Sequence, residues 1–370
     1  MKVSRIAVAV LLNVVLVLAT LEVCARVDDW IRYGAPPLEA YTVDRLYEFH
    51  DGMQQGKPHA RYQDWQLNSL GLRGPELSAD SYRILCIGAS ETLGMLETPG
   101  KEYPRQLEVR LRRDAPGKPI DVANLSYFGL TLATANKLLP RVMQAVRPEV
   151  VVIYPSFGAY VGRKSLQAVP DTPPRVRPPL LRLPEKIGDL LKAQLPPALM
   201  SALRQRQIKA YMKGRQEVEQ MPADRAAFLE LDLENLVATI RRYGAQPVLV
   251  THATRFRGDT DEQDRSYFLV AWRKFYPLFS SQALLDMEER LNATVREFAA
   301  RQHIPLVDAA DELGGGGKYF TDHEHFTNAG ALSLAQLIAP VLKPMVGRAS
   351  SALVKDDRRA PSAERPPNVD

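Results

Sequence analysis

The sequence predicts an α/β protein, a doubly wound sandwich with helices on both faces of a parallel sheet. Two observations carry this. Short apolar runs alternate with longer amphipathic segments from Tyr82 onward, and strands alternating with helices imply parallel strands joined by right-handed crossovers. Several of the apolar runs end in Gly or Pro or at a turn signal, as buried strands do.

The first strand is Tyr82 to Gly88 (YRILCIG). Glu102 to Arg113 is amphipathic and helical, and Ile120 to Asn124 reads as a second strand. Leu132 to Val146 is a helix stopped by Arg147-Pro148, because the residue before a proline is steered away from helical geometry. Val150 to Tyr154 (VVVIY), β-branched and followed by Pro155, is the third strand. Asp224 to Tyr243 is a helix closed by Gly244, with Asp224 as its cap. Pro247 to Thr251 is strand four, Leu284 to Gln302 a helix, and Pro305 to Val307 strand five. Asn328 to Leu342 closes the pattern, capped by Thr327.

Composition narrows the class. The chain has 370 residues, 45% of them apolar and 25% charged, enough to bury a core and too apolar for wholesale disorder. Two cysteines exclude a disulfide framework and a thiolate zinc cage. No repeat of 20–50 residues is visible, which excludes a solenoid or propeller. A net charge of +5 does not argue for nucleic acid, and no reading motif for it is present. No cofactor is implied, and the sequence sets no oligomeric state.

Lys2 and Arg5 precede an apolar run from Ile6 to Leu21, broken only by Asn13 and Thr20. This is a secretory signal or a signal anchor over residues 1–25, with Glu22 at the interface and cleavage after Ala25 as the alternative. Cys24 lacks the small residues before it that a lipidated cysteine needs. The basic flank leads the segment, so the rest of the chain is expected outside the cytoplasm: single-pass in the inner membrane, with a periplasmic domain. Residues 26–80 read as a stalk and lead-in, 81–346 as the domain, and 347–370 as a disordered tail.

Two insertions interrupt the domain. The first, 159–221, holds eight prolines; from Arg163 to Arg215 twelve Lys or Arg face three acidic residues. It reads as a solvated basic face or a surface for anionic headgroups or acidic polysaccharide. The second, 254–282, is aromatic, with Trp272, Phe275 and Tyr276 at helical spacing that suits packing or stacking on a sugar ring. Insertions at such loops usually shape a substrate cleft.

In a sheet of this type the site lies outside the carboxyl ends of the strands. That selects 88–94, 124–130, 155–160 and 320–327. The first holds Gly88-Ala89-Ser90-Glu91-Thr92-Leu93-Gly94, a serine between strand and helix whose hydroxyl stands at the sheet edge. The last holds Phe320-Thr321-Asp322-His323-Glu324-His325-Phe326. Ser90 needs a base, for which His325 is the candidate, and Asp322, three residues earlier, can fix its tautomer. His323 and Glu324 fall on other faces, at the solvent or rim. Asp322, His323 and His325 crowd together, yet His-x-His without a distant partner is a thin zinc set, so no metal is expected. His252, ending strand four, fits substrate contact or a supporting role. Gly314 to Gly317 lacks the lysine and helix of a phosphate loop and reads as a flexible connection. Cys86 is a small core residue.

Gly-x-Ser90 near the start with Asp322-x-x-His325-x-x-x-x-Gly330 near the end resembles the SGNH/GDSL hydrolases, from about Asn68 to Leu342. Asn68-Ser69-x-Gly71-x-Arg73-Gly74 resembles their membrane-anchored bacterial members. The resemblance implies a three-layer α/β/α, flavodoxin-like sandwich around five parallel strands. It also implies a Ser90–His325–Asp322 triad and an ester or acylated-glycan substrate. Its oxyanion donors carry over to the Ser90 N–H and to Gly129. The family's asparagine after strand three is missing; Tyr154-Pro155-Ser156-Phe157 stands there, so either Ser156 or a residue from an insertion supplies the third donor, or the hole has two donors, or catalysis is weak. Ala89 stands where the family has Asp. Simple hydrolysis, O-acetyl transfer to a polysaccharide, and a non-catalytic carbohydrate-binding role on the same fold are the functions this resemblance leaves open.

Overall fold

The computed structural model describes residues 5–50, 53–161, 181–221, 224–258 and 261–357. The apolar N-terminus forms α1 (Arg5–Tyr33), a long exposed helix suited to a signal anchor or signal peptide. It does not stop at residue 25, because no glycine or proline occurs before Gly34.

Two small hairpins follow, β1 (Tyr47–His50) with β2 (Met53–Gly56) and β3 (Arg61–Tyr62) with β4 (Trp65–Gln66). They enclose a cluster of Ala35, Tyr41, Leu46, Ala60, Tyr62 and Leu67. The lead-in is therefore packed rather than stalk-like. The Asn68–Gly74 motif is a folded turn: the Asn68 carboxamide oxygen accepts the N–H groups of Leu70 and Leu72, each at 3.0 Å. The Arg73 N–H donates to the Asn124 carbonyl at 3.1 Å, stapling this turn to the sheet.

The domain itself runs β5 (Tyr82–Gly88), α2 (Ser90–Leu93), α3 (Tyr103–Asp114), β6 (Ile120–Ser126), α4 (Leu132–Val146), β7 (Val150–Ile153) and α5 (Phe157–Val161). It continues through α6 (Leu183–Gln194), α7 (Pro197–Met212), α8 (Asp224–Arg242), β8 (Gln246–Val250), α9 (Glu262–Phe275) and α10 (Ser281–Arg301). It ends with β9 (Leu306–Val307), α11 (Ala309–Glu312) and α12 (Asn328–Asp357). The five strands are parallel, in the order β6-β5-β7-β8-β9. This is the flavodoxin-like order, with its switch point between β5 and β7.

Alternation along the strands divides the core. Leu85 and Ile87 of β5 and Val151 and Ile153 of β7 face α4, α8 and α10. Ile84, Cys86, Val150 and Val152 face the opposite way, onto α3 and α12. Period-two side chains buried on both faces make a continuous apolar strand. Gly88 ends β5 because a Cβ there would run into the Thr92 side chain. That close approach lets the chain turn straight from strand into α2 and sets Ser90 at the sheet edge.

Two expectations change here, those for the tail and for the glycine run. The tail is helical further than expected: α12 continues through Gly347 to Asp357, and residues 358–370 lie outside the described set. The described part of the basic insertion includes the helices α6 and α7; residues 162–180, which hold four of its basic residues, lie outside the described set. Gly314–Gly317 is a close-packed crossing instead of a flexible link. Gly316 donates to the Arg255 carbonyl at 2.9 Å, and a Cβ on Gly315 would strike the Arg255 and Arg257 carbonyls.

The α1–α6 junction is polar and specific. The Glu22 carboxylate accepts the backbone N–H groups of Arg182 (3.0 Å) and Leu183 (2.8 Å), capping the start of α6. Arg182 pairs with Asp29 at 3.2 Å, and Lys186 with Asp28 and Asp29 at 2.7 Å each.

Candidate active site

Ser90, His325 and Asp322 converge at the carboxyl edge of the sheet. Ser90 Oγ lies 2.9 Å from His325 Nε2, and His325 Nδ1 lies 2.8 Å from Asp322 Oδ2. The Asp322–His325 contact does not arise from a helical turn. The other Asp322 oxygen accepts the backbone N–H groups of Glu324 (3.0 Å) and His325 (2.8 Å), a side-chain-closed turn. Buried Phe320 and Phe326 pair across the base of this loop and anchor it in the core. Gly330 is required by the same fold: a Cβ there would strike the Tyr319 carbonyl, so the start of α12 could not pass under the loop. Thr327 caps α12, accepting the Gly330 N–H at 3.1 Å.

The electrostatics favour an imidazolium in the resting site. Burial pulls the His325 pKa down, but the Asp322 hydrogen bond and charge, with Glu324 and Glu91, outweigh it and raise the group to about 9. Burial also opposes ionisation of Asp322, yet the bond to His325 holds its carboxyl far below the usual range. Glu97, in the loop after α2, is buried with no such partner, and burial pushes its carboxyl up to about 8.

His323 and Glu324 are not rim residues. His323 is 3% exposed. Its ring stacks on Trp272 (5.7 Å between centroids), and its Nε2 lies 3.3 Å from Glu324 Oε1. Trp272 is fully buried between Phe256 and Phe157, so it packs instead of presenting a face to sugar. The aromatic insertion thus supports the histidine loop from behind. Arg255 Nη1 donates to the Phe320 carbonyl at 2.5 Å, the Arg255 N–H donates to the His323 carbonyl at 3.0 Å, and the guanidinium chelates Asp264.

His252 does not face the cleft. It is 1% exposed; Nδ1 lies 2.7 Å from Glu288 Oε1 and Nε2 3.1 Å from Glu91 Oε1. Burial disfavours its charge, but the two carboxylates raise its pKa well above the ordinary value. Glu91, His252 and Glu324 bring their ligand-type atoms within 4.8 Å of one another. Both His252 ring nitrogens are already engaged, by Glu288 and by Glu91. Gly129 lies in the turn after β6 with a φ of 66°, a conformation that favours glycine. Ser156 is buried between β7 and α5.

Sequence reading passed over Glu91, Glu288, Asn292 and Glu97. One signal was available for two of them. Glu288 and Asn292 interrupt the apolar stripe Leu284, Met287, Leu291, Val295 of α10, and polar residues on a buried stripe need a partner. Glu91 and Glu97 gave no comparable sign, because their burial follows from the elbow after β5.

No family model matches the chain, and no curated protein matches it by sequence. Its structural neighbours are GDSL-type lipases and esterases. An acetyl xylan esterase from Geobacillus stearothermophilus is 15% identical over 72% of this chain and 95% of its own (TM-score 0.43). A psychrotrophic esterase from a Pseudoalteromonas species is 12% identical over 72% of this chain and 100% of its own (TM-score 0.40). A GDSL-like lipase from Bacteroides thetaiotaomicron is 11% identical over 72% of this chain and 89% of its own (TM-score 0.38).

Glu97 yields a stability prediction. Its folded pKa is raised, so the folded state keeps a proton that the unfolded chain releases near 4.5, the ordinary value for a glutamate. Stability from this group is complete below that pH and falls as pH rises to about 8. Glu97→Gln removes the loss. The melting temperature of the variant relative to wild type is expected to climb between pH 5 and pH 8 and then level off. A difference independent of pH contradicts the assignment.

Proposed function

We propose that this protein is a membrane-tethered, extracytoplasmic serine hydrolase acting on carboxylic esters, with acyl or acetyl groups on cell-envelope or exported glycans as its substrate class. One observation carries the reading: the 2.9 Å contact between Ser90 Oγ and His325 Nε2, made across 235 positions of sequence. A hydroxyl and an imidazole at hydrogen-bond distance, with the second ring nitrogen on a carboxylate, is the arrangement nucleophilic acyl transfer requires.

In the proposed cycle neutral His325 takes the Ser90 proton as Oγ bonds to the ester carbonyl carbon. Asp322 keeps Nδ1 protonated and stabilises the imidazolium. Backbone N–H groups at Ser90 and Gly129 hold the oxyanion. Collapse breaks the bond to the alcohol, which leaves with the proton from His325. Water, activated by the same ring, then releases the acid. A sugar hydroxyl in place of water gives O-acetyl transfer with the same groups.

The tether reading rests on α1 and its junction with α6. Cleavage after Ala25 would remove Glu22, the cap of α6, and so would leave the Arg182 and Leu183 N–H groups unpaired. Retention of the leader as an anchor is therefore proposed.

A fluorophosphonate probe tests the central step. Wild type is expected to label at Ser90, with a rate that rises with pH towards about 9 as His325 loses its proton. Ser90→Ala is expected not to label. His325→Ala is expected to lose about 10²–10⁴-fold in rate with little change in melting temperature. No labelling of folded wild type favours a carbohydrate-binding role instead. Feeding an acetyl ester with and without oligosaccharide separates the acceptors: free acetate in both arms is expected, whereas acetylated sugar with little acetate contradicts simple hydrolysis. The intact mass of the membrane-extracted protein is expected to include residues 1–25, and a mass lacking them contradicts retention.

A further inference from the structure

The hydroxyl of Ser90 has a second partner. Besides His325, Ser90 Oγ lies 3.2 Å from Glu91 Oε2. Glu91 is 1% exposed and is held by His252, which is itself held by Glu288. Asn292 fixes this pair. Its Oδ1 accepts the His252 N–H at 2.7 Å, and its Nδ2 donates to the His252 carbonyl (2.9 Å) and to Glu288 Oε1 (3.1 Å). The hydrolase reading uses none of these four residues.

With His325 an imidazolium and Glu91 a carboxylate, the proton directions match along the whole line. Asp322 accepts from His325 Nδ1–H, and Nε2–H of the imidazolium donates to Ser90 Oγ. The Ser90 O–H donates to Glu91 Oε2, Glu91 Oε1 accepts from His252 Nε2–H, and His252 Nδ1–H donates to Glu288. Anion and cation alternate on either side of the hydroxyl, which offsets the cost of burying each charge. If His325 loses its proton, its lone pair and the Glu91 carboxylate compete for one serine proton, and an oxyanion forming on Oγ meets a carboxylate.

The geometry assigns Glu91 as a positioning residue for Ser90: its carboxylate, anchored by the His252–Glu288 pair, holds the serine hydroxyl and stabilises the protonated resting form of His325. This rests on the serine-hydrolase reading and adds to it what sets the resting state of the nucleophile. Other charged groups face the same histidine. Asp322 and Glu324 come from its own loop, with His323 beside them, and Glu97 comes from the loop after α2. His252 and Glu324 lie beside Glu91. Among the described residues Glu91 is the carboxylate in hydrogen-bond contact with the nucleophilic oxygen itself, so its charge acts on the serine proton directly.

The test is the pH dependence of fluorophosphonate modification of Ser90 in the full chain, in detergent, for wild type, Glu91→Gln and Glu91→Asp. With the charge removed, the midpoint of Glu91→Gln is expected to fall by roughly one pH unit, so that below the midpoint the variant reacts up to about tenfold faster than wild type. Glu91→Asp, which keeps the charge, is expected to return the midpoint towards the wild-type value. A merely structural role would slow Glu91→Gln without moving its midpoint, and a midpoint unchanged or raised overturns the assignment. Should Glu91→Gln not fold, nitrogen NMR of histidine-labelled wild type decides. His252 is expected to carry protons on both ring nitrogens at neutral pH, and a neutral ring overturns the assignment. Wild type that never labels at Ser90 removes the hydrolase reading and this inference together, whereas labelling with an unmoved midpoint removes this inference alone.

Discussion

Everything at this site depends on where one proton sits, that of the Ser90 hydroxyl. The oxygen is held at the sheet edge by the turn after Gly88 and touches an imidazole from one side and a carboxylate from the other. Each of those groups is buried, and neither would carry its charge there alone. The His325 ring is stabilised by Asp322, and Glu91 by His252. The fold supplies these partners from widely separated segments: the β5 elbow, the end of β8, α10 and the loop before α12.

That convergence explains several features away from the chemistry. The histidine loop is short, and its shape comes from what grips it. Phe320 and Phe326 sink into the core, Arg255 binds its backbone, and His323 stacks against Trp272. The aromatic insertion is therefore part of the frame around His325. The glycines at 315 and 330 allow the backbone to pass close enough for this grip to form. A preorganised acid–base pair needs such a frame, since small displacements at a reacting centre are costly.

Much of the fold could be read from the sequence because it rests on local signals. The strands are apolar runs, and Leu132–Val146 begins after Thr131, whose side chain accepts the Thr134 N–H, and ends before Arg147-Pro148. Ser90, Asp322 and His325 were legible as residue types at the right strand ends, and the structure brings them within bonding distance. What escaped was set by long-range contact. A helical turn would place His323 and Glu324 on outward faces, whereas the Asp322 side chain folds the loop into a closed turn that buries His323 and half-buries Glu324. His252 and Trp272 looked available to substrate because nothing nearby in sequence reveals Glu288 or Phe256 as neighbours. A stalk after residue 25 was a local reading too; the Glu22–Arg182 contact spans 160 positions.

The most direct test of the account is an experimental structure of the protein after reaction with a small fluorophosphonate. The account predicts a phosphorus atom bonded to Ser90 Oγ, with His325 Nε2 still facing that oxygen and Asp322 still on Nδ1. An unmodified Ser90, or an adduct with His325 turned out of reach of it, would contradict the claim that these groups form one relay.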